Sequence, residues 1–216
     1  MSGVFITFEG GEGCGKTTQI QRLTGWIKSQ NPTLDPLVTR EPGGTISAEA
    51  IRDLLVKGTA DKWLPATEAM LMSASRHEHV EHVLRPELSR GRIVISDRYN
   101  DSTRVYQGLV GGVAKAEIEA LNAIACGDLV PDLTILLDLD VDVGLARAGS
   151  RESDETRFES KGSEFHYKVR QAFLDLAAQY TDRFVVIDAS QSPEQVAADI
   201  QAAVLPHLSA SVLANG

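Results

Sequence analysis

Short apolar runs alternate along the chain with longer segments in which apolar residues recur every three or four positions. The short runs have the length and residue types of buried strands, and the longer segments have the period of helices that cover one face of a core. Strands that alternate with helices in this way predict a parallel sheet with helices on both of its faces. The five predicted strands are 4–8, 37–39, 92–97, 133–137 and 184–187.

The helical pattern is clearest directly after the first strand, where a helix is predicted from about residue 16 to residue 30. Later helices are predicted at 46–56, from 65 to 88 with a break, around 118–125, after Asp140, at 165–180 and at 193–208. The apolar positions expected to face inward are Ile20, Leu23 and Ile27 on the first helix, and Ile51, Leu54 and Leu55 on the helix at 46–56.

Composition places the chain among ordinary globular proteins. Its 216 residues are 43% hydrophobic and 24% charged, which fits one α/β domain over residues 1–208 with a short tail at 209–216. The formal net charge of −9 argues against nonspecific binding to nucleic acid, which needs a basic surface. Because no apolar run approaches about 18 residues and no signal-like segment opens the sequence, we expect a soluble cytoplasmic protein with Cys14 and Cys126 reduced.

A glycine-rich stretch follows the first strand and fills the pattern G-x-x-x-x-G-K-[ST] of a phosphate-binding loop. Its glycines allow backbone N–H groups to turn towards an anion, and the helix that starts there adds partial positive charge. The alternative is a glycine-rich turn that matches by chance, but strand, loop and helix stand in the order that a nucleotide site requires. The predicted nucleotide-contacting residues are Gly10, Gly11, Glu12, Gly13, Cys14, Gly15, Lys16, Thr17 and Thr18.

Two consecutive residues after the third strand fit the chemistry of phosphoryl transfer. Asp97 ends the strand, where its carboxylate can hold Mg²⁺ opposite the Thr17 hydroxyl; the alternative is an ordinary turn-forming aspartate. Arg98 follows directly and can bridge donor and acceptor phosphates. With Arg40 and Arg76 also available, the chain carries more arginines than one triphosphate needs, which indicates a second substrate that bears a phosphate.

Residues 147–163 are polar and charged, with Phe158 as almost the only apolar side chain. Such a segment is either an ordinary surface loop or linker, or a lid that closes over a bound nucleotide. Because a phosphate loop is present, we favour the lid, in which Arg147, Arg151 and Arg157 approach the phosphates.

Three histidines lie close together in the helix predicted at 65–88. His79 and His82 share a face of that helix, but no Glu or Cys completes a familiar zinc spacing. We therefore interpret this face as a polar helix surface rather than as a metal site.

Motifs along nearly the whole chain resemble the thymidylate kinase family, a group of P-loop nucleoside monophosphate kinases. The phosphate loop alone is not specific, whereas TREPGGT at 39–45 together with the pattern DRY-x-x-S-x-x-x-Y-Q-G at 97–108 is. The resemblance implies a three-layer P-loop NTPase fold with a five-stranded parallel sheet, helices on both faces and a lid segment. The other matching motifs are FEGGEGCGKTT at 8–18, SRHEH at 75–79, PDLTILLD at 131–138, RFE at 157–159 and FHYKVRQAF at 165–173.

The resemblance also implies an activity, the ATP-dependent phosphorylation of dTMP to dTDP for dTTP synthesis, with Mg²⁺ and by a homodimer. Carried over by position, Glu12 would hold the sugar 3′-hydroxyl or organise the acceptor site, and Arg98 would touch the acceptor phosphate. Arg147 and the residues near 189–191 would flank the adenine. The remaining implied dTMP contacts are Arg40, Pro42 and Arg76 lining the pocket, Ser102 or Thr103 at the thymine edge, Tyr106 against the deoxyribose where it disfavours a 2′-hydroxyl, and Gln107 nearby.

Members of the family differ in the position of the catalytic arginine. It lies either in the phosphate loop or, where that position is glycine, in the lid. This chain has Gly13 in the loop and Arg151 in the lid segment, so it resembles the bacterial, lid-arginine type with Arg151 as the catalytic arginine. Two positions depart from the family pattern: Met72 replaces a phenylalanine that stacks on thymine, and Ser75 replaces an acidic or amide residue. Both departures concern base selectivity rather than the reaction.

Two other functions stay open at this point. A kinase for another or a modified pyrimidine deoxynucleoside monophosphate would be consistent with Met72. A nucleotide-binding switch or sensor would need only the phosphate loop. The arginine-rich lid and the additional arginines argue against the switch, because a switch needs no second phosphate pocket.

Overall fold

Five parallel strands form the centre of the fold. In the computed structural model, which describes residues 3–149, 157–158 and 161–208, they run in the order β2-β3-β1-β4-β5. Each neighbouring pair is parallel, as the alternation of strands and helices predicts. The strands are β1 Val4–Glu9, β2 Leu37–Arg40, β3 Ile93–Asp97, β4 Leu133–Asp138 and β5 Phe184–Asp188.

The helices begin and end close to the positions predicted from the sequence. They are α1 Lys16–Gln30, α2 Ile46–Val56, α3 Pro65–His79, α4 Arg85–Ser89, α5 Asn100–Thr103, α6 Lys115–Cys126, α7 Val141–Ala148, α8 Ser163–Gln179 and α9 Pro193–Val204. The break predicted within the helix at 65–88 is a π-helical turn, Val80–Leu84, between α3 and α4. A second π-helical segment, Arg104–Val110, continues α5. Two caps act as expected: Asp140 accepts from the first N–H groups of α7, and the Ser192 hydroxyl accepts from Gln195 N at 3.2 Å.

Side chains on the two faces of the sheet enter different cores, which gives the fold three layers. Neighbouring residues of a strand point to opposite faces, so Ile6 packs against α1 and α9 while the adjacent Phe5 packs against Val80 and Leu84. The predicted core positions of α1, namely Ile20, Leu23 and Ile27, are buried. Within the described part of the chain, none of the helices is long and apolar enough to span a membrane.

One apolar position predicted to face inward is wrong: Leu54 is 46% exposed. On α2 the buried residues are Ala48, Leu55 and Val56, so the face that meets the rest of the protein is narrower than the apolar pattern implies. Single exposed apolar residues are common in folded proteins, because there is not enough polar surface to cover them all.

The strand order positions the candidate site. The chain leaves β1 for β2 towards one edge of the sheet, returns to β3 beside β1, and then crosses β1 to reach β4 on its other side. The carboxyl end of β1 therefore lies where the connections diverge, which is the place where open α/β sheets bind ligands. The segments that follow β1, β2 and β3 meet at this end of the sheet.

Candidate active site

The loop between β1 and α1 has the backbone of a phosphate cradle. Gly10, Gly13 and Gly15 have positive φ angles of 135°, 67° and 94°, a region that glycine enters without steric cost. The Lys16 ammonium lies over this loop and donates to the carbonyl oxygens of Gly10 and Gly11 at 3.3 and 3.1 Å. The N–H groups at the start of α1 and the lysine charge together favour an anion such as a nucleotide phosphate.

Helix α7 braces the phosphate loop at Gly13. A Cβ atom at position 13 would lie 2.0 Å from the Gly144 carbonyl oxygen, and a Cβ at position 144 would lie 2.4 Å from the Glu12 carbonyl oxygen. Both positions therefore require glycine, since a larger residue at either one would force the backbones apart. The contact gives a physical reason why this loop carries no arginine at position 13.

Arg98 links the phosphate loop to the segment after β3. Its guanidinium donates to Glu12 Oε1 at 2.9 Å and to the Gly10 carbonyl at 3.1 Å, and it lies 5.2 Å from the centre of the Tyr106 ring. The Tyr106 hydroxyl donates to the same Glu12 oxygen at 3.2 Å. Although burial raises the pKa of Glu12, Arg98 and Lys16 outweigh it and hold that pKa below its usual value. The site thus presents an ionised carboxylate beside a guanidinium.

A buried carboxylate that sequence reasoning missed supports Arg98 from below. Glu9, at the end of β1, is 0% exposed and accepts from Tyr99 N at 2.9 Å, from Ser102 N at 3.2 Å and from Ser102 Oγ at 2.6 Å. These bonds hold the turn in which Arg98 has a φ of 69°. Burial raises the pKa of Glu9 to about 7, against the lowering effect of Arg98.

Arg76 is held in place by groups from the segments that follow β2 and β3. Its Nε donates to Glu41 Oε2 at 2.6 Å, and one Nη donates to Tyr99 O at 3.1 Å and to Thr103 Oγ1 at 3.0 Å. The other Nη is buried and has no hydrogen-bond partner within the described ranges. A buried donor without a partner is costly, which suits a position that a ligand oxygen completes. The charge of Glu41 raises the pKa of Arg76 further, against the effect of burial.

Glu41 also contacts His79, which was predicted to lie on a polar helix surface. His79 Nδ1 lies 3.0 Å from Glu41 Oε1, and His79 Nε2 lies 2.7 Å from Thr39 Oγ1. His79 is 0% exposed, so it is not part of a polar helix surface, whereas His77 and His82 are exposed. The predicted surface is wrong for His79 because a buried imidazole can satisfy both ring nitrogens with side chains from distant segments.

A cleft of about 880 Å³ joins the phosphate loop to the segments after β2 and β3. All ten residues predicted to contact dTMP line it: Glu12, Arg40, Pro42, Met72, Arg76, Arg98, Ser102, Thr103, Tyr106 and Gln107. The cleft also contains Gly13, Cys14, Gly15, Lys16, Thr17 and Thr18 of the predicted nucleotide contacts. Phe158 enters it from the other side and meets the Tyr106 ring edge-on at 5.8 Å. The residues predicted for the phosphate donor and those predicted for the acceptor therefore line one cavity.

The predicted metal residues also face this cleft. Asp97 Oδ1 is buried and has no hydrogen-bond partner in the part of the chain that the structure describes, and Thr17 is exposed at the start of α1. Hard divalent cations prefer carboxylate and hydroxyl oxygens. The two residues thus fit a Mg²⁺ ion.

The chain is similar to known proteins over nearly its whole length. The family model for thymidylate kinase matches residues 8–200. The chain belongs to the thymidylate kinase family. It is 50% identical over 206 residues to a thymidylate kinase of Caulobacter vibrioides, covering 95% of this chain and 98% of the relative. With a thymidylate kinase of Ruegeria pomeroyi the identity is 44% over 207 residues, covering 96% and 97%.

A solved structure supports the same family and fold. The crystal structure of thymidylate kinase from Ehrlichia chaffeensis has a TM-score of 0.75 and 32% identity, over 94% of this chain and 99% of that one. The predicted resemblance and the predicted P-loop α/β fold are thus confirmed.

The role predicted for Arg157, an approach to the phosphates from the segment 147–163, is wrong. Arg157 is 1% exposed and does not line the cleft. It donates to the carbonyl oxygens of Leu55 and Thr59, each at 3.1 Å, and pairs with Glu68 at 2.5 Å. Backbone carbonyls at the end of a helix attract a cation, so this arginine anchors its segment to the end of α2.

Two other arginines, Arg147 and Arg151, are predicted to serve the nucleotide from the segment 147–163. Arg147 lies in the last turn of α7 and is exposed, outside the lining of the 880 Å³ cleft. Arg151, the predicted catalytic arginine, lies outside the described residues.

Ser75, one of the two positions that depart from the family pattern, has a structural role. It is buried and accepts from Gly43 N at 3.2 Å while donating to Ala48 O at 3.3 Å, so it supports the turn after β2.

Proposed function

We propose that the protein is a dTMP kinase that transfers the terminal phosphoryl group of ATP to dTMP and forms dTDP, a precursor of dTTP. The observation that carries the proposal is the single cleft, in which a phosphate loop and a second group of arginines face each other. Family membership supports the same reaction. ATP is the phosphate donor that the family implies.

The acceptor side of the cleft suits a deoxynucleoside monophosphate. Arg98 is the group for the acceptor phosphate, and Glu12, beside it at 2.9 Å, is the group for the 3′-hydroxyl. Tyr106 is fixed against both by its hydroxyl bond to Glu12 and its ring contact with Arg98, so it can exclude a 2′-hydroxyl. No strong base is needed, because a phosphate acceptor is already anionic.

The base end of the pocket is formed by Arg76, Met72, Thr103 and Gln107. Met72 supplies an apolar and polarisable wall where an aromatic ring would stack. Of the two hydroxyls predicted at the thymine edge, that of Ser102 is bonded to Glu9 and Arg98, and that of Thr103 accepts from Arg76. Of these two residues we place Thr103 at the thymine edge, where its hydroxyl holds Arg76 beside the base.

The donor side of the cleft has separate groups for the phosphates and for the metal ion. Lys16 and the loop N–H groups bind the β- and γ-phosphates. Thr17 and Asp97 hold Mg²⁺, which neutralises charge on the transferred group when bound. We further propose that Arg151 supplies the transition-state charge and that Arg147 flanks the adenine.

Purified protein with Mg-ATP and each deoxynucleoside monophosphate tests the proposal by ADP release. We expect dTMP to be the preferred acceptor. Turnover of another pyrimidine nucleotide without turnover of dTMP would favour the alternative kinase, for which Met72 is the motive. A nucleotide switch would show no calorimetric binding of dTMP, and the second cationic pocket speaks against it.

We also propose that the protein is a cytoplasmic homodimer with residues 1–208 as one domain. Helices α3 and α6 pack against each other, and each exposes a large apolar side chain, Met70 at 53% and Ile124 at 74%. Exposed apolar groups on neighbouring helices are typical of an interface. Sedimentation should give twice the 23.3 kDa mass of the chain, and a mass of one chain would refute the dimer.

A further inference from the structure

A buried carboxylate outside the cleft joins the lid segment to the base end of the pocket. Glu68 on α3 is 3% exposed and does not line the cleft. Its Oε2 pairs with Arg157 at 2.5 Å, and its Oε1 accepts from Gln107 Nε2 at 2.6 Å. Three segments that are distant in sequence therefore meet at this one carboxylate.

The Arg157 end of this bridge is rigid. Besides Glu68, its guanidinium donates to the carbonyls of Leu55, Thr59 and Ala60 at 3.1 to 3.3 Å. A guanidinium that is held by so many acceptors presents its charge at a fixed position. The ion pair with Arg157 therefore fixes the orientation of the Glu68 carboxylate, and the Gln107 amide has to adapt to it.

The locked carboxylate decides which way the Gln107 amide faces. A carboxylate in an ion pair only accepts hydrogen bonds, so it selects the NH₂ group of the amide and rejects the oxygen. Gln107 lines the cleft, and its oxygen has no hydrogen-bond partner among residues 3–149, 157–158 and 161–208. The group that this residue offers to a ligand is therefore an acceptor.

Gln107 and Arg76 line the same cleft, where Gln107 offers an acceptor and Arg76 an unpartnered donor, Nη1. The edge of a thymine ring presents the opposite set, an N3–H donor and an O4 acceptor. The cytosine edge presents an N3 acceptor and an N4 donor. In the same pose it would place an acceptor against the Gln107 oxygen and a donor against Arg76 Nη1. Unpaired polar groups of this sort are how a site rejects a close analogue.

We propose that Glu68 is a positioning residue for base selection: it holds the Gln107 amide with its oxygen towards the cleft, and its ion pair with Arg157 ties that orientation to the lid segment. The inference rests on the proposed dTMP kinase function. It adds a residue that touches neither nucleotide.

A double-mutant cycle with Glu68→Gln, Gln107→Ala and the double variant tests this. The readout is the ratio of kcat/KM for dTMP to that for dCMP, which a merely structural role would not move. An amide at position 68 can bond either end of Gln107, so we expect Glu68→Gln to lower this ratio by about tenfold or more. In the Gln107→Ala background the same change should alter the ratio by less than about twofold. Glu78→Gln, on the same helix and partly exposed, is the matched control and should leave the ratio unchanged.

The outcomes separate this inference from the proposed function. Wild-type protein that does not phosphorylate dTMP would refute the function itself. Normal dTMP turnover with an unchanged ratio in folded Glu68→Gln, or an equal loss in both backgrounds, would overturn the role of Glu68. If Glu68→Gln does not fold, Glu68→Asp keeps the charge for Arg157 but withdraws the carboxylate from Gln107, and it should lower the ratio in the same way; an unchanged ratio in that variant would overturn the role equally.

Discussion

The substitution Glu9→Gln measures how protonation of the buried Glu9 carboxyl, at the end of β1, contributes to the stability of the protein. Glutamine has nearly the same shape, and its oxygen can still accept from the N–H groups of Tyr99 and Ser102. We therefore expect the turn that carries Arg98 to keep its conformation. The substitution removes the titration of a carboxyl that is 0% exposed, and it makes the Ser102 hydroxyl, which donates to Glu9 Oε2, accept from an NH₂ group instead.

The pKa of Glu9 gives the size and the sign of the effect. Burial raises this pKa from 4.5 to about 7, and Arg98 only partly opposes the rise. Between these values the folded protein binds a proton that the unfolded chain has lost, so the resulting stabilisation is complete below pH 4.5 and is lost as the pH rises through about 7. A pKa of about 7 in the folded protein, in place of 4.5, corresponds to about 3 kcal/mol.

Urea unfolding of both proteins between about pH 4.5 and pH 8.5 measures this contribution. The quantity to follow is the free energy of unfolding of the wild type minus that of Glu9→Gln, because titrations shared by the two proteins cancel. We predict that this difference falls by about 3 kcal/mol across the range. Glu194→Gln, at a side chain that is 70% exposed, serves as the control and should give a nearly constant difference. A constant difference for Glu9→Gln as well, or one that rises with pH, would refute the reasoning.

Four further substitutions test other residues to which a role is given above. Gly13→Ala should lower both ATP binding and Tm, because its Cβ would lie 2.0 Å from the Gly144 carbonyl at a positive φ; wild-type values in calorimetry and thermal melting would contradict the contact. Lys16→Ala and Arg151→Ala should each reduce kcat by about a hundredfold or more while dTMP still binds, and full turnover in Arg151→Ala would assign the catalytic charge to another residue. Arg157→Met should reduce the free energy of unfolding by about 3 kcal/mol or more, because it leaves a buried carboxylate without its cation; an unchanged denaturation midpoint together with a lower kcat would instead support a phosphate-binding role.

Sequence reasoning predicted the strands and the cleft-lining residues well, for a shared physical reason. In a parallel sheet the segments after the strands meet at one edge, so polar motifs at strand ends identify the site before any coordinates are known. The loop from Gly10, Arg40 at the end of β2 and the Asp97-Arg98 pair at the end of β3 all follow this rule. The motif after β3 also spaces Ser102, Tyr106 and Gln107 correctly, because one helical segment carries them.

The supporting shell could not be predicted in the same way. Glu9, Glu41 and Glu68 each bond partners that are tens of residues away, and no local pattern distinguishes a buried carboxylate from an exposed one. Arg157 was misread for a related reason. In a polar sequence it resembles a solvent-facing cation, yet backbone carbonyls at the end of α2 satisfy it in the interior. Which side chains are buried in this shell is decided by tertiary contacts alone.

Product analysis of a reaction of the purified protein with Mg-ATP and dTMP tests the central claim most directly. Chromatographic separation of the nucleotides should show dTDP and ADP appearing in equal amounts, with no ADP formed at a comparable rate when dTMP is left out. ADP formation that does not depend on dTMP, or the absence of dTDP, would contradict the account of one cleft joining a phosphate loop to a nucleoside monophosphate pocket.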